Sequence, residues 1–221
     1  KKFAQAFKME EIRYYFGIIG VATLIITCNI YHIFGSAARA FQQAAFQVGS
    51  IITTTGYATT DFNMWPEISR TILVMLMFIG ACAGSTGGGM KVSRYIIYFK
   101  TLRKELSTLI HPRSVKVIQC DGKAVDHDTI RSANIYLIAY IFIYMLSVLL
   151  ISFDKFDLTT NFTAVAATFN NIGPGLNVVG PTGNFAGFSM FSKLVLIFDM
   201  LAGRLEIFPM LILLAPGTWK K

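Results

Sequence analysis

The stretch SIITTTGYATTDF, residues 50–62, interrupts a chain otherwise crowded with apolar side chains. Three consecutive threonines, a glycine and a tyrosine follow the segment Ser36–Ile52, which has the composition of a short helix. At 1.5 Å per residue that helix would be roughly 25 Å long, less than the ~30 Å of a bilayer's hydrocarbon core. A polar run after a helix too short to cross is the feature on which the fold turns.

The chain around it has 221 residues, 54% hydrophobic and 14% charged. Soluble domains carry about 25% charged residues, so the composition excludes an ordinary soluble domain. Tyr14–Phe34 and Ile135–Phe153 are long and apolar enough to cross a bilayer. Leu194–Leu214 is too, with three charges in it, and Thr71–Phe99 would be but for a glycine-rich break. Of 20 Lys and Arg, 15 fall in Lys1–Arg13, Lys91–Arg131 and the Lys220–Lys221 tail. The positive-inside rule puts these regions in the cytoplasm, and four crossings then return both termini to that side. The net charge of +8 thus reads as topology, and nucleic-acid binding is set aside. Cys28, Cys82 and Cys120 have no paired spacing, which gives no disulfide framework.

Gly56 and Gly173 lie 117 residues apart, and that offset also aligns the first span with the third and the second with the fourth. The expected fold is therefore an all-α integral membrane protein with two parallel span–pore-helix–span (M1-P-M2) repeats. The first occupies residues 1–115 and the second 116–221. In the second, Leu158–Thr168 is the short segment, about 16 Å as a helix, with Thr159 or Thr160 as its N-cap; Ser36 is the N-cap of the first. Both short helices would be re-entrant from the outer side. Irregular backbone at such depth survives only where protein or a water-filled path satisfies it.

The C-terminal end of a helix carries partial negative charge, and extended backbone beyond it can present carbonyls in place of an ion's water shell. Thr54, Thr55, Gly56 and Tyr57 are therefore candidates to bind an alkali cation. Asn170, Asn171, Ile172 and Gly173 are their counterparts in the second copy. The T-x-G-Y run resembles the signature of potassium-channel filters, with Ala58 in place of their second glycine. A second feature, GACAGSTGGGMKVSR at 80–94, breaks the returning span of the first repeat. Met90 separates Gly89 from Lys91, so the spacing fails the phosphate-loop pattern. The offset places Arg204 at the depth of Gly87, in the middle of that break. An arginine there needs a partner, and the carbonyls of Gly84–Gly89 are the expected one. Gly84, Ser85, Thr86, Gly87, Gly88, Gly89 and Arg204 are accordingly the expected gate.

TTTGY at 53–57, GSTGGGMK at 84–91, NNIGPGL at 170–176 and GRLEIFP at 203–209 together resemble the C-terminal half of a potassium-uptake protein of the Trk/Ktr/HKT superfamily, closest to the bacterial Trk (TrkH) type. The resemblance implies four repeats around a central K⁺ pathway in the cytoplasmic (inner) membrane, two of which would lie outside this chain. It implies a homodimer and a cytosolic nucleotide-binding regulatory subunit, and K⁺ as the transported ion with no organic cofactor. It places the filter at Thr54–Tyr57 and Asn171–Pro174. Passive flow and proton- or sodium-coupled symport both stay open. Two alternatives are a non-conducting assembly subunit and a membrane-embedded enzyme, the latter resting only on Asp126-His127-Asp128 in a charged loop. The basic segment Lys91–Arg131 offers a docking site for a regulatory subunit or for anionic membrane lipid.

Overall fold

A computed structural model describes residues 8–112, 117–205 and 207–214. The repeat boundary expected at residue 115 lies outside them, as do residues 1–7 of the basic N-terminal stretch, Glu206 and the tail from 215 to 221. The chain begins with α1 (Glu10–Phe34), whose first turn holds Glu10 and Glu11, the sign favoured at a helix N-terminus. It stops at Gly35, in the left-handed conformation that closes helices. Then come α2 (Ala37–Ile52), a 3₁₀ turn at Phe62–Met64 and α3 (Glu67–Ile79), entered through Pro66. After a break, α4 (Val92–Ile110) leads to a hairpin of β1 (Gln119–Cys120) and β2 (Lys123–Ala124). Its two-residue turn has positive φ at both Asp121 and Gly122, the geometry that matches strand twist. The second half holds α5 (His127–Ile151), α6 (Leu158–Phe169), a 3₁₀ turn at Asn177–Val179, α7 (Met190–Leu205) and α8 (Ile207–Leu214).

The 117-residue offset is visible in these bounds. Both ends of α5 fall 117 residues after those of α1, and α6 ends 117 residues after α2. Capping differs between the copies. Ser36 occupies the N-cap position of α2 but makes no side-chain cap bond. For α6 the N-cap is Asp157, which accepts from the Thr160 N–H at 3.1 Å, and not Thr159 or Thr160 as expected. A carboxylate placed just ahead of the helix outcompetes a hydroxyl for the free amides of the first turn. Asp126 likewise caps α5, accepting from the His127 N–H at 2.9 Å, so this acidic loop has a structural task.

Among the described residues, α1 and α5 are long and apolar enough to cross a membrane. Thr71–Phe99 is divided between α3 and α4, whereas the described residues of Leu194–Leu214 are helical throughout, in α7 and α8. Packed against α3, α5 and α7, α6 is buried from Thr160 to Phe169 apart from the half-buried Phe162. The two copies meet through aromatic side chains: the Phe78 ring of α3 lies 5.3 Å from Tyr144 and 5.9 Å from Phe162. The outer face of α5 is the reverse of a soluble surface, with Ile138 and Phe142 each 69% exposed and Leu149 66%. In water that face would carry a penalty of about 25 cal/mol per Å².

Candidate functional site

The loops leaving α2 and α6 are built by one hydrogen-bond scheme used twice. The Thr53 N–H donates to the Gly49 carbonyl (3.1 Å) and the Thr54 N–H to Ile51 (3.0 Å). The amides of Thr55 and Gly56 then share the Ser50 carbonyl at 2.8 and 3.2 Å. In the second copy Asn170 donates to Ala166 (3.1 Å), Asn171 to Thr168 (3.0 Å), and Ile172 and Gly173 share Ala167 at 2.8 and 3.4 Å. Every donor and acceptor is shifted by 117. The backbone follows the same register, with φ of 56° and 79° at Thr54 and Gly56, and 55° and 110° at Asn171 and Gly173. Helix carbonyls left over at a C-terminus thus consume the loop amides. Among the described residues no backbone amide donates to the carbonyls of Thr54, Thr55, Gly56, Asn171, Ile172 or Gly173.

The two loops touch at Gly56. A Cβ there would lie 1.9 Å from the Ile172 carbonyl oxygen and 3.2 Å from Cδ of Pro174. Gly173 has no neighbour within 4 Å of a Cβ, so only its φ calls for glycine. The outer residues of each predicted quartet are engaged differently. The Tyr57 carbonyl accepts from the Ser50 hydroxyl at 2.5 Å, and the Tyr57 side chain is exposed. Asn170 is buried, accepting from the Tyr140 hydroxyl at 2.8 Å and donating to the Ala166 carbonyl at 2.9 Å. Asn171 donates to the Met200 carbonyl of α7 at 3.1 Å. Sequence reading missed Tyr140 and Ser50, and it also missed a bridge on the rim. There Asn63 and Asn177 exchange two bonds (3.3 and 3.0 Å), with Arg70 at 3.1 Å and Asp157 at 2.9 Å completing the cluster. The hydrogen bonds from Thr160, then that from Asn177, hold the Asp157 carboxyl below the usual carboxylate range.

The break between α3 and α4 runs from Gly80 to Lys91, both with positive φ. It lies directly against the two loops. The Gly88 N–H donates to the Thr54 hydroxyl at 3.3 Å, and a Cβ on Gly88 would fall 2.0 Å from the Asn170 carbonyl oxygen. Gly203 of α7 comes equally near, 1.8 Å from the Phe169 oxygen by the same measure. At one end Glu11 of α1 accepts from the Ala83 N–H at 2.6 Å. In the middle, the Arg204 guanidinium of α7 donates to the Thr86 carbonyl. A cavity of about 190 Å³ opens between them, lined by Ser85, Thr86, Gly87, Lys91, Arg94 and Arg204 among others. Among the described residues there is no cluster of three or more His, Cys, Asp or Glu that could hold a metal. The arrangement leaves backbone carbonyls of the two loops without amide donors, with the polar Gly80–Lys91 break packed against them.

The chain is similar to known proteins along most of its length. The TrkH family model, described as a cation transport protein, matches residues 16–220. The chain is 38% identical over 215 residues to the Trk system potassium uptake protein TrkH of Salmonella typhimurium, covering 96% of this chain and 44% of that protein. It is 42% identical over 190 residues to its counterpart in Vibrio parahaemolyticus, covering 86% and 39%. The crystal structure of the potassium transporter TrkH from Vibrio parahaemolyticus matches with a TM-score of 0.87 at 39% identity, over 97% of this chain and 46% of that one. The chain spans less than half the length of these relatives. This chain belongs to the TrkH family of cation transport proteins.

Proposed function

We propose that this chain forms one half of a potassium-uptake pathway across the cytoplasmic membrane. Each copy acts as a span–pore-helix–span unit, residues 1–115 and 116–221, with both ends cytoplasmic. α2 and α6 are its re-entrant pore helices. The carbonyls of Thr54–Gly56 and Asn171–Gly173 strip and hold K⁺, while Gly84–Gly89 and Arg204 obstruct the path below and move aside for conduction. Two further repeats close the ring, and the assembled protein works as a homodimer with a cytosolic nucleotide-binding subunit. The observation that carries this reading is the doubled loop, in which four amide bonds and two left-handed residues recur in register. The names of the relatives, potassium uptake proteins, support the choice of ion and set a transporter above an enzyme.

Rubidium and potassium flux into liposomes holding the complete assembly tests it. K⁺-selective flux that is lost on replacing Gly56 or Gly173 supports conduction through these loops. Absence of selective flux, with both glycines freely replaceable, would leave an assembly role.

A further inference from the structure

The two matching loops share a backbone scheme but are anchored differently. In the second copy Asn170 follows the last residue of α6 and is wholly buried. Its Oδ1 accepts from the Tyr140 hydroxyl of α5 at 2.8 Å, and its Nδ2 donates to the Ala166 carbonyl at 2.9 Å. The neighbouring Asn171 reaches the other way and donates to the Met200 carbonyl of α7 at 3.1 Å. The two asparagines thus tie one loop to both spans of its own repeat. The buried Tyr140 ring is seated for this, 4.8 Å from the Phe169 ring and stacked 6.3 Å from Tyr144. A hydroxyl and an amide that satisfy each other away from water hold a single arrangement.

A shift of 117 residues reveals what the first copy lacks. Tyr140 becomes Thr23, a buried residue whose hydroxyl has no partner among the described residues. Asn170 becomes Thr53, whose hydroxyl meets the Gly49 carbonyl at 2.7 Å and the Thr55 hydroxyl at 2.8 Å, all within α2 and its own loop. Asn171 becomes Thr54, whose hydroxyl accepts from the Gly88 N–H at 3.3 Å. Among the described residues no side-chain hydrogen bond joins residues 53–57 to α1. The brace from the first span of the repeat belongs to the second copy alone.

We propose that Tyr140 is a positioning residue for ion selection: through Asn170 it holds the carbonyls of Ile172 and Gly173 in place, so that the second loop sets the K⁺/Na⁺ preference of the pathway. This rests on the conduction reading above. K⁺ and Na⁺ carry the same charge and differ by a fraction of an ångström in radius. Carbonyls tell them apart only while their positions, and the field they make, are held. A site keeps that tolerance when the groups supporting it are themselves locked by packing and hydrogen bonds. Tyr140 acts through Asn170, the residue at which the chain leaves α6.

The test uses the complete transporter in liposomes, as wild type, Tyr140→Phe, Asn170→Leu, the two together, and Thr23→Val at the matching place in the first copy. One readout is K⁺ and Na⁺ flux. The other is amide hydrogen exchange in the peptide holding Asn171–Gly173, compared with that holding Thr54–Gly56. Tyr140→Phe keeps the ring and removes only the hydroxyl. It should lower the K⁺/Na⁺ flux ratio about two- to tenfold with K⁺ flux retained, the factor that losing one neutral hydrogen bond implies. Exchange at Ile172 and Gly173 should quicken by a similar factor, while the first loop stays as it was. Asn170→Leu should do at least as much, and the pair together no more than Asn170→Leu alone. Thr23→Val should leave both readouts at wild-type values. An unchanged ratio in Tyr140→Phe, an equal fall in K⁺ and Na⁺ flux, or unchanged exchange would overturn the proposal. So would loss of dispersed protein in both single variants, which would mark a packing role. If wild type itself lacks selective flux, the conduction reading fails, while the exchange rates still decide whether Tyr140 fixes the loop.

Discussion

The two copies share their upper parts and part company below. Both short helices end in the same amide scheme and the same left-handed pair of residues. Beneath that, the returning segment of the first copy breaks from Gly80 to Lys91, while α7 of the second runs unbroken from Met190 to Leu205. A continuous helix spends its carbonyls on its own amides and has only side chains to offer. A broken one frees its carbonyls. The first copy therefore supplies acceptors, at Ser85, Thr86 and Gly87, and the second supplies a donor, Arg204, at the same level. Symmetry builds the two matching loops, and departure from symmetry builds the broken segment packed against them.

The strongest way to break this comparison is at the glycines. Gly56→Ala adds a side chain into the Ile172 carbonyl as well as a left-handed penalty of about 1–2 kcal/mol, whereas Gly173→Ala incurs the second alone within this chain. We expect Gly56→Ala to abolish K⁺-selective flux and lower the thermal midpoint more than Gly173→Ala. Equal losses would mean that contact between the loops is unimportant. Next comes Arg204→Ala, which removes a charge-assisted bond of about 1.5–3 kcal/mol from the gate loop. It should raise flux about tenfold in a protein that stays folded. Loss of folded protein would show Arg204 to be a packing element instead.

A smaller effect separates the two caps. Asp157→Ala should cost about 1 kcal/mol, read as a lower thermal midpoint, while Ser36→Ala should change little because Ser36 makes no cap bond. The smallest effect is on pH. Asp154, held by the Ser189 amide at 2.9 Å first and by Ser192, and Asp157, held by Thr160, both have carboxyls lowered in the folded protein. Their contribution is complete above the ordinary Asp value of about 4 and is lost as pH falls through the lowered folded value. The thermal midpoint should therefore drop on acidification below about pH 4, and Asp157→Asn should flatten part of that slope.

Much of this architecture was legible in the letters. Apolar length marked α1 and α5, glycine density marked the break, and the offset between Gly56 and Gly173 predicted that Arg204 would find its partner among residues 84–89, where the Thr86 carbonyl lies. The lost details are those that depend on distance. Tyr140 reaches Asn170 across 30 positions and Asn63 reaches Asn177 across 114, and no periodicity announces such pairs. Thr159 and Thr160 looked like caps because hydroxyls commonly are, but a carboxylate at 157 had the prior position. Lys91 read as one more cytoplasmic cation, since charge counting cannot tell a side chain that points to water from one folded back on its own loop.

The most direct test is anomalous diffraction from crystals of the complete transporter soaked in rubidium. The account predicts peaks on one axis, within coordination distance of carbonyl oxygens from Thr54–Gly56 and Asn171–Gly173 together. Rubidium found only at side-chain carboxylates, or an axis that passes by these two loops, would contradict it.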